Sequence, residues 1–302
     1  MNAGNGANHT LMRRAAWAAV SVAGLLIALK WAAYTVTGSM AMLASLADSA
    51  LDLFASAINL VAIRHALTPA DAEHRFGHGK AEPLAGLAQA AFIAGSATFL
   101  VVESIDRIIT PHVVTRGSWG VGVMAFSIAA TFALVLYQRH VVRRTGSLAI
   151  GADSLHYVGD VLTNLGVIAG IVLATEFGLL VADPLFGLFV AGVLAWSALS
   201  VFHQSYDQLM DRELPDAERD RIKAIVMRHK EVMNLHDLRT RAAGTQTFLQ
   251  LHIELDAAMS LTRAHEVSDT VEAELMVAFP NAEIIIHQDP AGLEAPAKLA
   301  RG

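Results

Sequence analysis

Two aspartates on one helical face, and a histidine with an aspartate on another, are the residues of this chain best placed to do chemistry. Asp48 and Asp52 lie four apart in the apolar stretch 40–67, and His156 and Asp160 repeat that spacing in the stretch 147–175. Residues i and i+4 share a helix face, so each stretch presents two ligands side by side. Ser45, Ser49, Ser56 and Asn59 extend the first polar stripe, while Asp153 precedes and Asn164 follows the second pair. Ionisable groups within a bilayer are costly and mark functional sites by default. In a hydrocarbon core of about 30 Å, Asp48 and Asp52 fall ~17 and ~11 Å from the inner surface, and His156 and Asp160 ~14 and ~20 Å from it. The two windows overlap near the midplane. Three carboxylates facing one imidazole in apolar surroundings demand compensation. A divalent cation supplies it, and four oxygen and nitrogen ligands suit tetrahedral Zn²⁺. Without metal, the same residues would serve a proton relay or hydrogen bonds between helices.

The elements that must carry these pairs are legible in the apolar pattern. Apolar residues make up 54% of the 302-residue chain and charged residues only 17%, against about 25% in soluble proteins. Stretches 11–37, 40–67, 81–109, 118–142, 147–175 and 178–203 each exceed the ~20 residues a spanning helix needs. Arg13, Arg14, Arg64, Arg75, Lys80, Arg139, Arg143 and Arg144 fall on one side of these spans. The opposite loops hold Gly38, Arg116, Glu176 and Asp183, so the basic side, with both termini, is expected in the cytosol. A cleaved signal peptide over 11–37 is disfavoured, because the run is too long and the topology needs it as a span. Lys30 interrupts that span ~10 Å from its outer end and is expected to snorkel to the interface. The excess of 28 acidic over 22 basic residues argues against a nucleic-acid partner. Zero cysteines exclude disulfides, thiolate metal sites and a thiol nucleophile, leaving 13 histidines and the carboxylates as ligands.

Beyond the last span the charge density rises. Residues 215–229 have helical spacing, 232–241 and 248–256 read as antiparallel strands turning at Ala243-Gly244, 261–279 as a second helix and 283–289 as a third strand. That order suggests a small ferredoxin-like α+β domain. The expected organisation is an N-terminal cytosolic segment 1–10, a six-helix transmembrane domain 11–210, a cytosolic metal-binding and dimerisation domain 211–290, and a flexible tail 291–302.

The paired motifs, six spans and α+β tail together resemble the cation diffusion facilitator family, and within it the bacterial zinc and ferrous-iron efflux pumps. The segments LASLADSALD, FGHGKAEPLAGLAQ, VVRRTGS, ADSLHY, HDLRTR and IIIHQDP carry the likeness, from about the first span to Pro290. The resemblance implies a homodimer of the bacterial inner membrane that exports divalent metal in exchange for protons, and no enzymatic activity or organic cofactor. By position it implies Asp48, Asp52, His156 and Asp160 as the transport site, and Asp71, His74 and His78, between spans two and three, as a second zinc site. It further implies a binuclear cytosolic site of His236, His252, His265, His287 and Asp289 at the dimer contact, with Gln288 reaching in from the neighbouring subunit. Lys80 and Asp211 match an ion pair joining the subunits. The imidazole of His156 favours zinc and similar borderline ions (Cd²⁺, Fe²⁺, Co²⁺) over manganese. Histidines 9, 65, 112, 140, 203 and 229 fit no such constellation and read as interface or surface groups.

Two other functions compete. An intramembrane metallohydrolase would need a glutamate base beside its metal, and His156-Tyr-Val-Gly-Asp160 has none nearby. A metal sensor would be expected to carry an output domain beyond residue 290.

Overall fold

The computed structural model describes residues 3–37, 40–110, 118–177 and 181–292. Gly38, Arg116 and, apart from Ala291 and Gly292, the expected flexible tail lie outside them. The chain divides into two compact units, which part between Tyr206 and Asp207.

In the first unit the long helices are α1 (Ala3–Thr37), α2 (Met40–Ala66), α3 (Ala81–Ile109), α4 (Ser118–Thr145), α5 (Leu148–Phe177) and α6 (Ala182–Leu209). Among the described residues, five of these helices are long and apolar enough to cross a membrane. Helix α1 starts earlier than the apolar run, at Ala3. Thr10 Oγ1 donates to the Gly6 carbonyl, 2.8 Å away and one turn back, within the continuing helix.

Helix α5 carries half of the paired motif, and its start is closely specified. Gly146, at φ 68°, ends α4 by donating its N–H to Val142 O at 2.8 Å, the left-handed cap that glycine permits. Ser147 then accepts the N–H of Ile150 at 3.3 Å, an N-cap for α5. Glu82, near the start of α3, is buried and accepts from the Ser147 hydroxyl and from the Ala149 N–H. A carboxylate at a helix N-terminus takes up its unpaired N–H groups and opposes its dipole. Helix α5 then packs against α2, α3 and α4, and Gly159 lets Leu194 of α6 lie directly on its backbone.

The second unit is a three-stranded sheet of order β1-β2-β3 with helices α7 (Asp216–Val226) and α8 (Leu261–Ala278). β1 (Asn234–Ala243) pairs antiparallel with β2 (Gln246–Leu255), and β2 pairs parallel with β3 (Ala282–Pro290). The expected ferredoxin-like order holds. Leu249, Leu251, Ile253 and Leu255 point to the helices and form the core with Ile222, Val226, Val267, Val271 and Leu275. Strand alternation therefore turns His252 to the other face. A bulge between His236 and Arg239, with Asp237 at φ 49°, keeps His236 opposite His252, and His252 is in turn the partner of His287.

Candidate metal centres

Asp52, His156 and Asp160 come together between α2 and α5, with one ligand atom from each within 4.8 Å of the others. His156 Nε2 lies 3.1 Å from Asp52 Oδ1, and both residues are buried. Among the described residues, the buried Oδ2 of Asp160 has no hydrogen-bond partner. Asp48, one turn before Asp52, is exposed and stands outside this group.

Behind the group is a polar hub that spacing alone did not disclose. Asp153 is fully buried and accepts hydrogen bonds from Gln138 Nε2 of α4 at 2.6 Å, Gln89 Nε2 of α3 at 3.1 Å and Ser56 Oγ of α2 at 3.3 Å. Ser56 Oγ also meets the Tyr157 hydroxyl at 2.8 Å, and Asn59 Nδ2 donates to Ala149 O at 3.3 Å. Four helices are thereby tied together one turn from His156.

Lys30 corrects the expectation of snorkelling. Its side chain is buried, and Nζ donates to Ser49 Oγ at 2.5 Å and to the Ser45 carbonyl at 3.1 Å. Two acceptors on the facing polar stripe of α2 hold the ammonium inside, where an isolated helix would have sent it to the interface.

Between α2 and α3, Asp71, His74 and His78 also gather within 4.8 Å. Asp71 Oδ1 accepts the N–H groups of His74 at 2.6 Å and Glu73 at 2.9 Å, a local turn that aims the carboxylate. The His74 N–H, with that of Glu73 and the two imidazoles, holds the Asp71 carboxyl below its ordinary value against the opposing pull of desolvation. Gly77, at φ 74°, bends the chain so that His78 returns to Asp71 at 3.4 Å. The ring of His65, read from sequence as an interface or surface group, is exposed and packs edge-on against His78 with centroids 4.5 Å apart.

On the open face of the tail sheet, His236 Nε2 and His252 Nδ1 lie 3.2 and 2.8 Å from Asp289 Oδ2, and His287 Nε2 is 3.3 Å from Oδ1. Burial alone would push the Asp289 carboxyl up. The His252 hydrogen bond and the charges of His287, His252 and His236 outweigh it and hold the group below its usual value. Glu254, 3.2 Å from His236 Nδ1, joins the cluster without having been singled out by spacing. His265 does not join it within one chain. It is exposed on α8, 3.5 Å from Asp269, and α8 covers the opposite face of the sheet. Gln288 likewise turns to the helix side, where its Nε2 donates to Ser268 Oγ at 2.7 Å. Lys80 stands at the N-cap of α3, and Asp211 pairs with Arg241 at 3.2 Å.

Comparison with known proteins identifies the family of both parts of the chain. Residues 16–210 match the family described as the cation efflux transmembrane domain, and 214–291 match the cation efflux protein cytoplasmic domain. The cation-efflux pump FieF of Shewanella oneidensis is 45% identical over 283 residues, covering 94% of this chain and 95% of its own. The pump of the same name from Serratia proteamaculans is 42% identical over 291 residues, 96% and 97% of the two chains. The solved metal-bound C-terminal domain of the CzcD transporter from Thermotoga maritima is 31% identical over 27% of this chain and all of its own, with a TM-score of 0.26.

Proposed function

The chain belongs to the cation efflux family, as a multi-pass membrane transporter and not an enzyme, and on that premise we propose that it exports Zn²⁺ from the cytosol in exchange for protons. Cd²⁺, Fe²⁺ and Co²⁺ suit the same nitrogen–oxygen ligand set. Asp52, His156 and Asp160 form the transport site, and Asp48 supplies the fourth ligand from the same face of α2. The observation that carries this reading is the unpartnered Asp160 Oδ2 beside the Asp52–His156 contact. A buried anionic acceptor without a donor is a place for a cation.

The coupling follows from ligand chemistry. Metal requires neutral imidazole and ionised carboxylates, so its arrival expels protons and protonation expels metal. His156 Nε2 faces Asp52, so a bound ion would compete with a proton for that nitrogen. Alternating access then opens the site to one side at a time.

The functional unit is a homodimer in the bacterial inner membrane with both termini cytosolic. Asp71, His74 and His78 fit a second zinc. His236, His252, His287 and Asp289 fit a cytosolic site that steadies the dimer contact, which His265 reaches only from a second subunit. Lys80 and Asp211 form the ion pair between subunits. Proteoliposomes with a zinc dye inside test the reading: uptake should quicken with an acidic interior and slow when the gradient collapses. Uptake indifferent to the gradient would leave facilitated diffusion instead.

A further inference from the structure

Lys30 is a buried basic group that the transport chemistry leaves unused. Its hydrogen bonds go to Ser45 and Ser49, and these residues share a face of α2 with Asp48 and Asp52 at spacings of three and four. Asp48 follows Ser45, and Asp52 follows Ser49, by three residues, so the ammonium is held one turn from both aspartates on the stripe of α2 that carries them. Among the described residues these hydrogen bonds go to uncharged groups, so the charge needs an anionic neighbour reached through space.

We propose that Lys30 is a fixed counter-cation of the transport site, setting how tightly the site holds its divalent ion. The proposal rests on the assignment of Asp48, Asp52, His156 and Asp160 as that site. Three ionised carboxylates, one ammonium and one divalent ion cancel in charge, so a loaded site with neutral imidazole leaves no net charge in apolar surroundings. Remove the ammonium and the loaded site keeps a negative charge, while the ion loses a neighbour that repels it. Metal then binds more tightly and leaves more slowly. A transporter must release what it binds, so a resident cation in this position favours turnover over retention.

Zinc flux in proteoliposomes, resolved into KM and kcat, tests this. Lys30→Gln keeps a hydrogen-bond donor for Ser45 and Ser49 but removes the charge. KM should fall on the order of tenfold, with kcat falling as release slows. Lys30→Arg should return both toward wild type. A positional role alone would instead raise KM or lower kcat at constant KM. The Asp48→Asn background supplies a second measurement should the single variant fold poorly: there KM is raised, and adding Lys30→Gln should lower it again by restoring charge balance. Asp52→Ala separates the two levels of the argument. Flux retained in Asp52→Ala would overturn the site itself. Flux lost there, with KM unchanged or raised by Lys30→Gln in either background, would leave the site standing and overturn the counter-cation.

Discussion

Gly159 is one residue from Asp160, and its lack of a side chain sets how closely α5 approaches α6. A Cβ at this position would fall on Cδ2 of Leu194 and lie 3.5 Å from its Cγ. Leu194 is only 5% exposed and is packed with Ile93, Val190 and Ala198, so it has little room to swing aside. Gly159→Ala should therefore destabilise the protein by ~1–3 kcal/mol, the usual cost of overpacking by a methyl group. Leu194→Ala alone leaves a cavity and should cost ~2–5 kcal/mol. In the double variant the new methyl enters the space that the leucine vacated, so its cost should be less than the sum, with a coupling of ~0.5–3 kcal/mol. Thermal unfolding of detergent-solubilised protein reads the stability differences. Zinc KM reads the displacement of Asp160, and should rise in Gly159→Ala and recover in the double variant. Wild-type stability in Gly159→Ala, or strictly additive costs, would refute the close packing of these helices.

Asp153 should behave as a structural hub: Asp153→Ala strands the buried Gln138 donor at ~1–3 kcal/mol and takes one bond each from Gln89 and Ser56, which keep the Ala55 carbonyl and the Tyr157 hydroxyl, whereas Asp153→Asn keeps one acceptor oxygen and should lose less in the same unfolding assay. The tail should show an acid dependence traceable to Asp289. Its carboxyl is held below the ordinary value of 3.8, so its contribution to metal-free stability is present above about pH 4 and is lost as pH falls through the lowered folded value. Acid titration of chelator-treated protein should follow that course, with a smaller loss over the same range in Asp289→Asn.

Periodicity made the ligand pairs and their supporting elements legible. Four-residue spacing within apolar runs located Asp52 and Asp160 on facing helices, and strand alternation put His252, His287 and Asp289 on one face. Groups that owe their role to a partner distant in sequence stayed hidden. Glu82 reads as a residue in a first helical turn until the N-terminus of α5 is set beside it. Asp153 is one more carboxylate near His156 until glutamines from two other helices converge on it. Lys30 looked like an interfacial lysine because the stripe that holds it, Ser45 and Ser49, belongs to another helix. His265 is the opposite case: α8 spends its other face on the core, so within one chain this side chain stands apart from the cluster and only a second subunit could bring it there. The bulge after His236, which keeps three histidines in one row, has no marker in the hydrophobic pattern.

Asp52, His156 and Asp160 are proposed to hold the transported ion. Zinc flux through Asp160→Ala, reconstituted beside wild type and a His252→Ala, Asp289→Ala control, tests it most directly. Asp160→Ala should give no flux above empty vesicles, with the dimer intact by size, while the control keeps a slower flux. Wild-type flux through Asp160→Ala would contradict it.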